Sequence, residues 1–171
     1  YEKNQRIVHD TEQSIIKFIE KNIAKVDAVV ISDYAKGAVT EKIASVCVKF
    51  SRENNKPLVI DPRPSNKEYY RDCFILTPNQ KEASEMAKME AKTEEDVLNM
   101  GKKLLKDLNC HVLITRGEKG MTLFEKNGRI TNIPTQAKEV YDVTGAGDTV
   151  VAALALALSS HASLEESAII A

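Results

Sequence analysis

Asp142-Val143-Thr144-Gly145-Ala146-Gly147-Asp148-Thr149 stands directly ahead of a long apolar run. Its two glycines let the backbone turn tightly and bring it close to a ligand. If the run is a helix, the amides of Ala146, Gly147 and Asp148 are exposed at its start. Such a start carries partial positive charge and attracts anions such as phosphate. A carboxylate in that place is kept ionised by the same amides and dipole. Asp148 is then placed to accept a hydroxyl proton while the amides steady a transferring phosphoryl group, a reaction that asks mainly for positioning and charge stabilisation. The competing explanation is that Asp142 or Thr144 only caps a helix.

Asn79 and Glu82, three residues apart at a predicted helix start, face the same way. Their oxygens could order the waters around Mg²⁺, which leans on few protein ligands. The same stretch also reads as an ordinary capping box, with Thr77 as N-cap, Pro78 at the first helical position and Gln80 as the third. Thr115-Arg116-Gly117 with Gly120 links two predicted strands. Those glycines serve either the turn alone or a nucleotide lying against bare backbone.

The elements that would position these groups alternate. Helical spacing covers 11–25, 40–54, 78–88, 94–108 and 146–159, with a further helix opening at Leu164. Between them lie short β-branched runs at 28–31, 58–60, 74–76 and 112–114. Strand–helix–strand alternation predicts parallel strands with right-handed crossovers, and fully apolar strands predict a sheet covered on both faces. A β-hairpin is expected near residues 121–133, turning at Asn127-Gly128. Each of the four strands runs into a polar cluster: Ser32 to Gly37, Asp61 to Pro64, Thr77 to Glu82, and Thr115 to Gly120. Parallel strands would bring all four to one edge, the edge at which open α/β sheets bind ligands.

The chain has 171 residues and a formal net charge of −1, which suits one domain with no basic field for nucleic acid. Its longest apolar stretch, Val150 to Leu158, is too short to span a bilayer, so no membrane partner is expected. Three scattered cysteines, with no Cys-x-x-Cys pair, fit a reducing compartment and hence the cytoplasm. No strand is followed by Gly-x-Gly-x-x-Gly, which argues against a Rossmann dehydrogenase.

Together these residues resemble the PfkB (ribokinase) family of carbohydrate kinases. Asp142 to Asp148 is similar to the family's Asp-x-x-Gly-Ala-Gly-Asp signature, Asn79 to Glu82 to its Asn-x-x-Glu motif, and Thr115 to Gly120 to its Thr-x-Gly-x-x-Gly loop. The resemblance implies a ribokinase-like α/β fold and small-molecule partners, ATP with Mg²⁺ and a sugar phosphate. It makes Asp148 the catalytic base and the amides of Gly145, Ala146 and Gly147 the anion hole. Asn79, Gln80, Lys81, Glu82, Thr115, Gly117 and Gly120 would border ATP, with Asn79 and Glu82 reaching Mg²⁺ through water. Asp33, Lys36, Arg63 and Asp142 are expected near the substrate or its phosphates.

Within the family, the segments Ser32 to Ala38, Val59 to Arg63, Leu76 to Asn79 and Thr135 to Asp142 most resemble the branch that phosphorylates D-glycero-β-D-manno-heptose 7-phosphate at C1, on the way to ADP-heptose. Arg63 departs from that branch, where lysine is expected; a planar fork replaces a point charge. By this resemblance residues 1–171 are the C-terminal, ATP-handling part of one kinase domain. The N-terminal sugar-binding part and the final segment would lie outside it, the isolated piece would be inactive, and the full-length protein would be a homodimer. Two other readings remain: a PfkB kinase of another sugar or nucleoside, and a nucleotide-binding module without activity.

Overall fold

The computed structural model describes residues 6–135 and 145–171. It holds one six-stranded sheet in the order β1 to β6. The strands are β1 (Val29–Ser32), β2 (Leu58–Asp61), β3 (Ile75–Leu76), β4 (His111–Thr115), β5 (Met121–Phe124) and β6 (Ile130–Ile133). Strands β1 to β4 are parallel, as their apolar runs and long connections predict. Strands β5 and β6 run antiparallel and form the expected hairpin. Its turn is not the two-residue kind that Asn-Gly favours: Gly128 N–H donates to Glu125 O at 2.9 Å, and only Gly128 takes a positive φ, 90°. The arrangement is a longer turn closed by a glycine in the left-handed region.

Helices α1 (His9–Asn22), α2 (Glu41–Glu53), α3 (Gln80–Ala87) and α4 (Glu94–Leu108) pack on one face of the sheet, while α5 (Ala146–Ser159) and α6 (Leu164–Ile170) cover the other. Three crossovers that step the same way across the sheet, each right-handed, must fall on one face. Strand side chains alternate accordingly. Leu58 and Ile60 of β2 enter the α1–α4 core, and Val59 between them enters the α5–α6 core. All three are at most 1% exposed, so the two layers are closed over the centre of the sheet.

Local chemistry sets the helix ends. Thr40 accepts the Ile43 N–H at the start of α2, and Thr93 with Asp96 forms a reciprocal capping box at the start of α4. Each such cap contributes about 1 kcal/mol. The predicted helix 11–25 divides into α1 and a 3₁₀ turn at Ile23–Lys25. The predicted helix 78–88 starts later and stops earlier. Pro78 O accepts the Thr115 N–H at 3.0 Å and Asn79 bridges Thr115 in parallel, so the chain stays extended through 77–79. Lys88 leaves the helix at φ 55°. A 3₁₀ stretch at Pro64–Tyr70, unassigned from sequence, joins β2 to β3.

Candidate active site at the rim of the sheet

The four parallel strands deliver their polar clusters to one rim. From β1 the chain continues through Asp33 to Lys36, and from β2 through Asp61 to Arg63. Beyond β3 comes the start of α3, and beyond β4 the loop Arg116 to Gly120. Helix α5 also begins there. Tyr34 Oη donates to Asp148 Oδ1 at 3.4 Å, which ties the helix's first turn to the end of β1.

Gly145 is the N-cap of α5 at φ 82°, and no side chain caps the helix. The first intrahelical bond runs from Thr149 N–H to Gly145 O at 3.0 Å. The amides of Ala146, Gly147 and Asp148 therefore have no acceptor within the helix. These three residues are exposed, and a Cβ built on Gly147 meets nothing within 4 Å. The helix start is thus open, with a carboxylate in its first turn. Asp142 lies outside the described residues.

Asn79 and Glu82 form a capping box, but not the one expected. Asn79 itself is the N-cap: its Oδ1 accepts the Glu82 N–H at 2.9 Å, and Glu82 Oε2 accepts the Asn79 N–H at 3.0 Å. Thr77 is buried and donates to Ile60 O instead, at 3.1 Å. The other carboxylate oxygen of Glu82 accepts from Arg63 Nη1 at 3.0 Å. Arg63 also donates through Nε to Asp33 O at 3.1 Å, and its guanidinium lies 5.8 Å from the centre of the Tyr34 ring. Arg63 is therefore a partly exposed cation at the centre of the rim, fixed on three sides.

Asp33 does not reach the surface. It is 2% exposed, and its oxygens accept from Ala35 N–H and Asn66 Nδ2, each at 2.7 Å, and from Tyr70 Oη at 2.5 Å. A carboxylate supplied with three donors holds the loop around it; the expectation of direct substrate contact gives way to that of a brace. Gln80 is likewise drawn off, its Nε2 donating to Ala91 O at 3.2 Å in the α3–α4 connection. Lys36 and Lys81 are exposed.

The Thr115–Gly120 loop divides the two explanations of its glycines. Gly120 is buried at φ 75°, and a Cβ there would lie 2.0 Å from Ile133 O, so chain packing requires that glycine. Gly117 is exposed at φ 58° with nothing within 4 Å of an added Cβ, leaving its backbone accessible. Between them, Arg116 and Lys119 both hold Glu94 at the start of α4, at 2.6 and 3.3 Å.

From sequence Asp61 stands only as a member of the polar cluster at the end of the second strand, with no role of its own. Half-buried at the end of β2, it has a pKa pushed up to about 6, first by burial, then by the negative charge of Glu82, with Asp148 and Asp33 adding and Arg63 opposing. Its position, an acid directly after a fully apolar strand, was the signal that could have found it. Among the described residues no three acidic, histidine or cysteine side chains converge as a metal cage. A divalent ion at this rim would therefore rest on water and ligand oxygens, with Asp61 and Glu82 as the nearby acids. That suits Mg²⁺, which keeps much of its hydration.

A two-faced α/β sheet with one polar rim places the chain among ribokinase-like proteins. The Arabidopsis thaliana ribokinase solved with ribose and ATP matches it with a TM-score of 0.73 at 25% identity, over 95% of this chain and 50% of that one. The Bacillus subtilis pyridoxal kinase solved as an ADP complex matches with a TM-score of 0.76 at 25% identity, over 96% and 68%. The chain belongs to the pfkB family carbohydrate kinases, which it matches over residues 3–171. Among curated proteins it is 39% identical over 156 residues to "Bifunctional protein HldE" of Azorhizobium caulinodans, and 39% identical over 171 residues to the protein of that name from Geotalea uraniireducens. These matches take in 91% and 99% of this chain but 33% and 35% of the relatives, so the chain spans about a third of their length. No helix among the described residues is long and apolar enough to cross a membrane.

Proposed function

We propose that this chain supplies the nucleotide-handling and proton-accepting groups of a kinase that transfers the γ-phosphoryl of ATP to the C1 hydroxyl of D-glycero-β-D-manno-heptose 7-phosphate. That places it in the synthesis of ADP-heptose, a precursor of the lipopolysaccharide core. The carrying observation is the exposed carboxylate of Asp148 in the first turn of α5, beside unpaired helix amides and on the rim shared by four strand ends. Likeness to the bifunctional HldE proteins supports the choice of sugar over the other substrates of the family.

In this reading Asp148 accepts the proton of the sugar hydroxyl as its oxygen attacks the γ-phosphorus and ADP departs. The amides of Gly145, Ala146 and Gly147 face the negative charge carried by the phosphoryl oxygens. Mg²⁺, when bound with ATP, neutralises phosphate charge. Arg63 adds a fixed positive charge, and Glu82 and Asp61 order water at the rim. The open backbone at Gly117 borders the nucleotide.

Asp148→Asn in the full-length natural protein tests the proposal. The variant keeps the size and the fold and should lose phosphorylation of heptose 7-phosphate by at least about a hundredfold, the scale of a general base. Unchanged turnover would remove Asp148 from the mechanism. Turnover of ribose or a nucleoside, with none of heptose 7-phosphate, would leave the mechanism standing and overturn the substrate.

A further inference from the structure

The loop Arg116 to Gly120, whose backbone at Gly117 borders the nucleotide in the proposed reaction, has little within it to aim it. It holds two glycines at positive φ and one short 3₁₀ turn, Gly117–Lys119, with no side-chain cap. Arg116 N–H donates to Gly120 O at 2.8 Å, and Gly120 N–H to Gly117 O at 2.9 Å. Those bonds close the turn but do not set the direction of its tip. Nothing lies within 4 Å of a Cβ built on Gly117, so packing does not set it either.

The Arg116 side chain ties the loop to its surroundings. Only 6% of it is exposed, and its two terminal nitrogens reach two other elements. Nη1 donates to Thr122 Oγ1 on β5 at 3.3 Å, and Thr122 in turn donates to Asn132 Oδ1 on β6 at 3.0 Å. Nη2 donates to both carboxylate oxygens of Glu94, each at 2.6 Å. Nε is buried and has no partner among the described residues. The guanidinium thus gives up one donor to span β5 and the start of α4.

Glu94 opens α4, and the helix dipole alone would account for an acid there. Glu95 and Asp96 already serve that end, and Asp96 completes the cap with Thr93. The dipole does not explain why Glu94 turns both oxygens to a nearly buried cation. Arg116 first, and then Lys119, holds the Glu94 carboxyl below the usual carboxylate range. An ion pair exposed on both sides contributes little. Here one side is enclosed, and losing Glu94 would leave the Arg116 charge enclosed without its counter-charge. The loop could relieve that only by moving.

We propose that Glu94 is a positioning residue for nucleotide binding: through Arg116 it sets the direction of the Gly117 turn, without touching the nucleotide. The loop is then ordered before the ligand arrives, and its ordering does not subtract from affinity. This inference rests on the nucleotide lying against Gly117, as proposed above.

The test is calorimetric titration of the full-length natural protein with adenylyl imidodiphosphate, a non-hydrolysable ATP analogue, and Mg²⁺. Steady-state kinetics with ATP and heptose 7-phosphate varied in turn accompany it. Glu94→Ala should weaken analogue binding and raise KM for ATP by about tenfold, with kcat and KM for the sugar phosphate within about twofold. A merely structural role would not single out the nucleotide in this way. Glu94→Gln keeps the length and an acceptor for Arg116, and should recover affinity to within about threefold. Arg116→Met removes the enclosed charge together with the tie. It should weaken binding as Glu94→Ala does, and the two combined should be no worse than either alone. Unchanged analogue affinity in Glu94→Ala overturns the inference. So do additive losses in the double variant, or a fall in kcat with KM for ATP unmoved. A natural protein that binds no analogue would sink the proposed function along with this inference. One that binds it but leaves heptose 7-phosphate untouched would sink only the choice of sugar, and the titrations would still decide the role of Glu94.

Discussion

The Tyr34 hydroxyl donates to Asp148 across 114 residues of sequence, at 3.4 Å, and joins the end of β1 to the first turn of α5. The same ring flanks Arg63. Tyr34→Phe removes only the hydroxyl; the bond is long, so its loss should cost about 1 kcal/mol and lower kcat/KM of the full-length kinase about fivefold. Tyr34→Ala also removes the face beside Arg63 and should cost more. Steady-state kinetics of the pair would separate the two contributions, and equal rates in both variants would show the ring to be idle.

Asp33 and Tyr70 form the brace beneath the rim. Tyr70 is fully buried and its hydroxyl donates to Asp33, whose other donors are Asn66 and the Ala35 amide. Tyr70→Phe leaves a buried carboxylate short of one donor and should destabilise the protein by about 1–3 kcal/mol in urea unfolding. Asp33→Ala strands three donors at once and should be worse. A loss under a few tenths of a kcal/mol for Tyr70→Phe would mean that the brace carries little.

Asp61 should make stability depend on pH. Its folded pKa of about 6 lies above its ordinary value of 3.8, so the folded state holds the proton more tightly. Well below pH 3.8 both states are protonated and there is no penalty. Between about pH 4 and 6 the unfolded state ionises first and stability falls as pH rises. Because the side chain is only half-buried, solvent screening reduces the effect to about 1 kcal/mol. Asp61→Asn should therefore stabilise the protein by that amount at pH 7.5 and leave it unchanged near pH 3.5, as read from unfolding curves at both values. A pH-independent difference would refute the assignment.

Gly120 sits where the β4–β5 connection meets the chain after β6. Gly120→Ala would drive a methyl into the Ile133 carbonyl and hold a non-glycine residue at φ 75°, for a loss of about 2–4 kcal/mol. Gly117→Ala has the strain without the collision and should cost roughly 1 kcal/mol. Thermal unfolding of the two variants should rank them in that order.

What could be read in the sequence was what depends on near neighbours. β-branched runs marked β1 to β4, and the apolar helix after Gly145 was placed with the bounds it has, Ala146–Ser159. The start of α3 escaped because its cause is remote: Thr115 pairs with the chain at Pro78 and Asn79 and keeps it extended, which passes the capping role from Thr77 to Asn79. Asp33 looked like a ligand contact because nothing beside it announces Tyr70 and Asn66, more than thirty residues away. The bond between Arg63 and Glu82 needs β2 and α3 brought together by a sheet that neither segment encodes alone. Asp61 was visible as a strand-terminal acid, but its unusual proton affinity comes from burial and from charges on other elements.

Glu82 is held from two directions, by the Asn79 amide and by Arg63. Its rotamer freedom is therefore lost when the chain folds, and not when a ligand arrives. A molecule reaching this part of the rim meets dipoles and charges already aimed, with little reorganisation left to oppose it. Loosening the first turn of α3 should accordingly appear as a less favourable binding entropy, while the chemical step, once the complex has formed, keeps its pace.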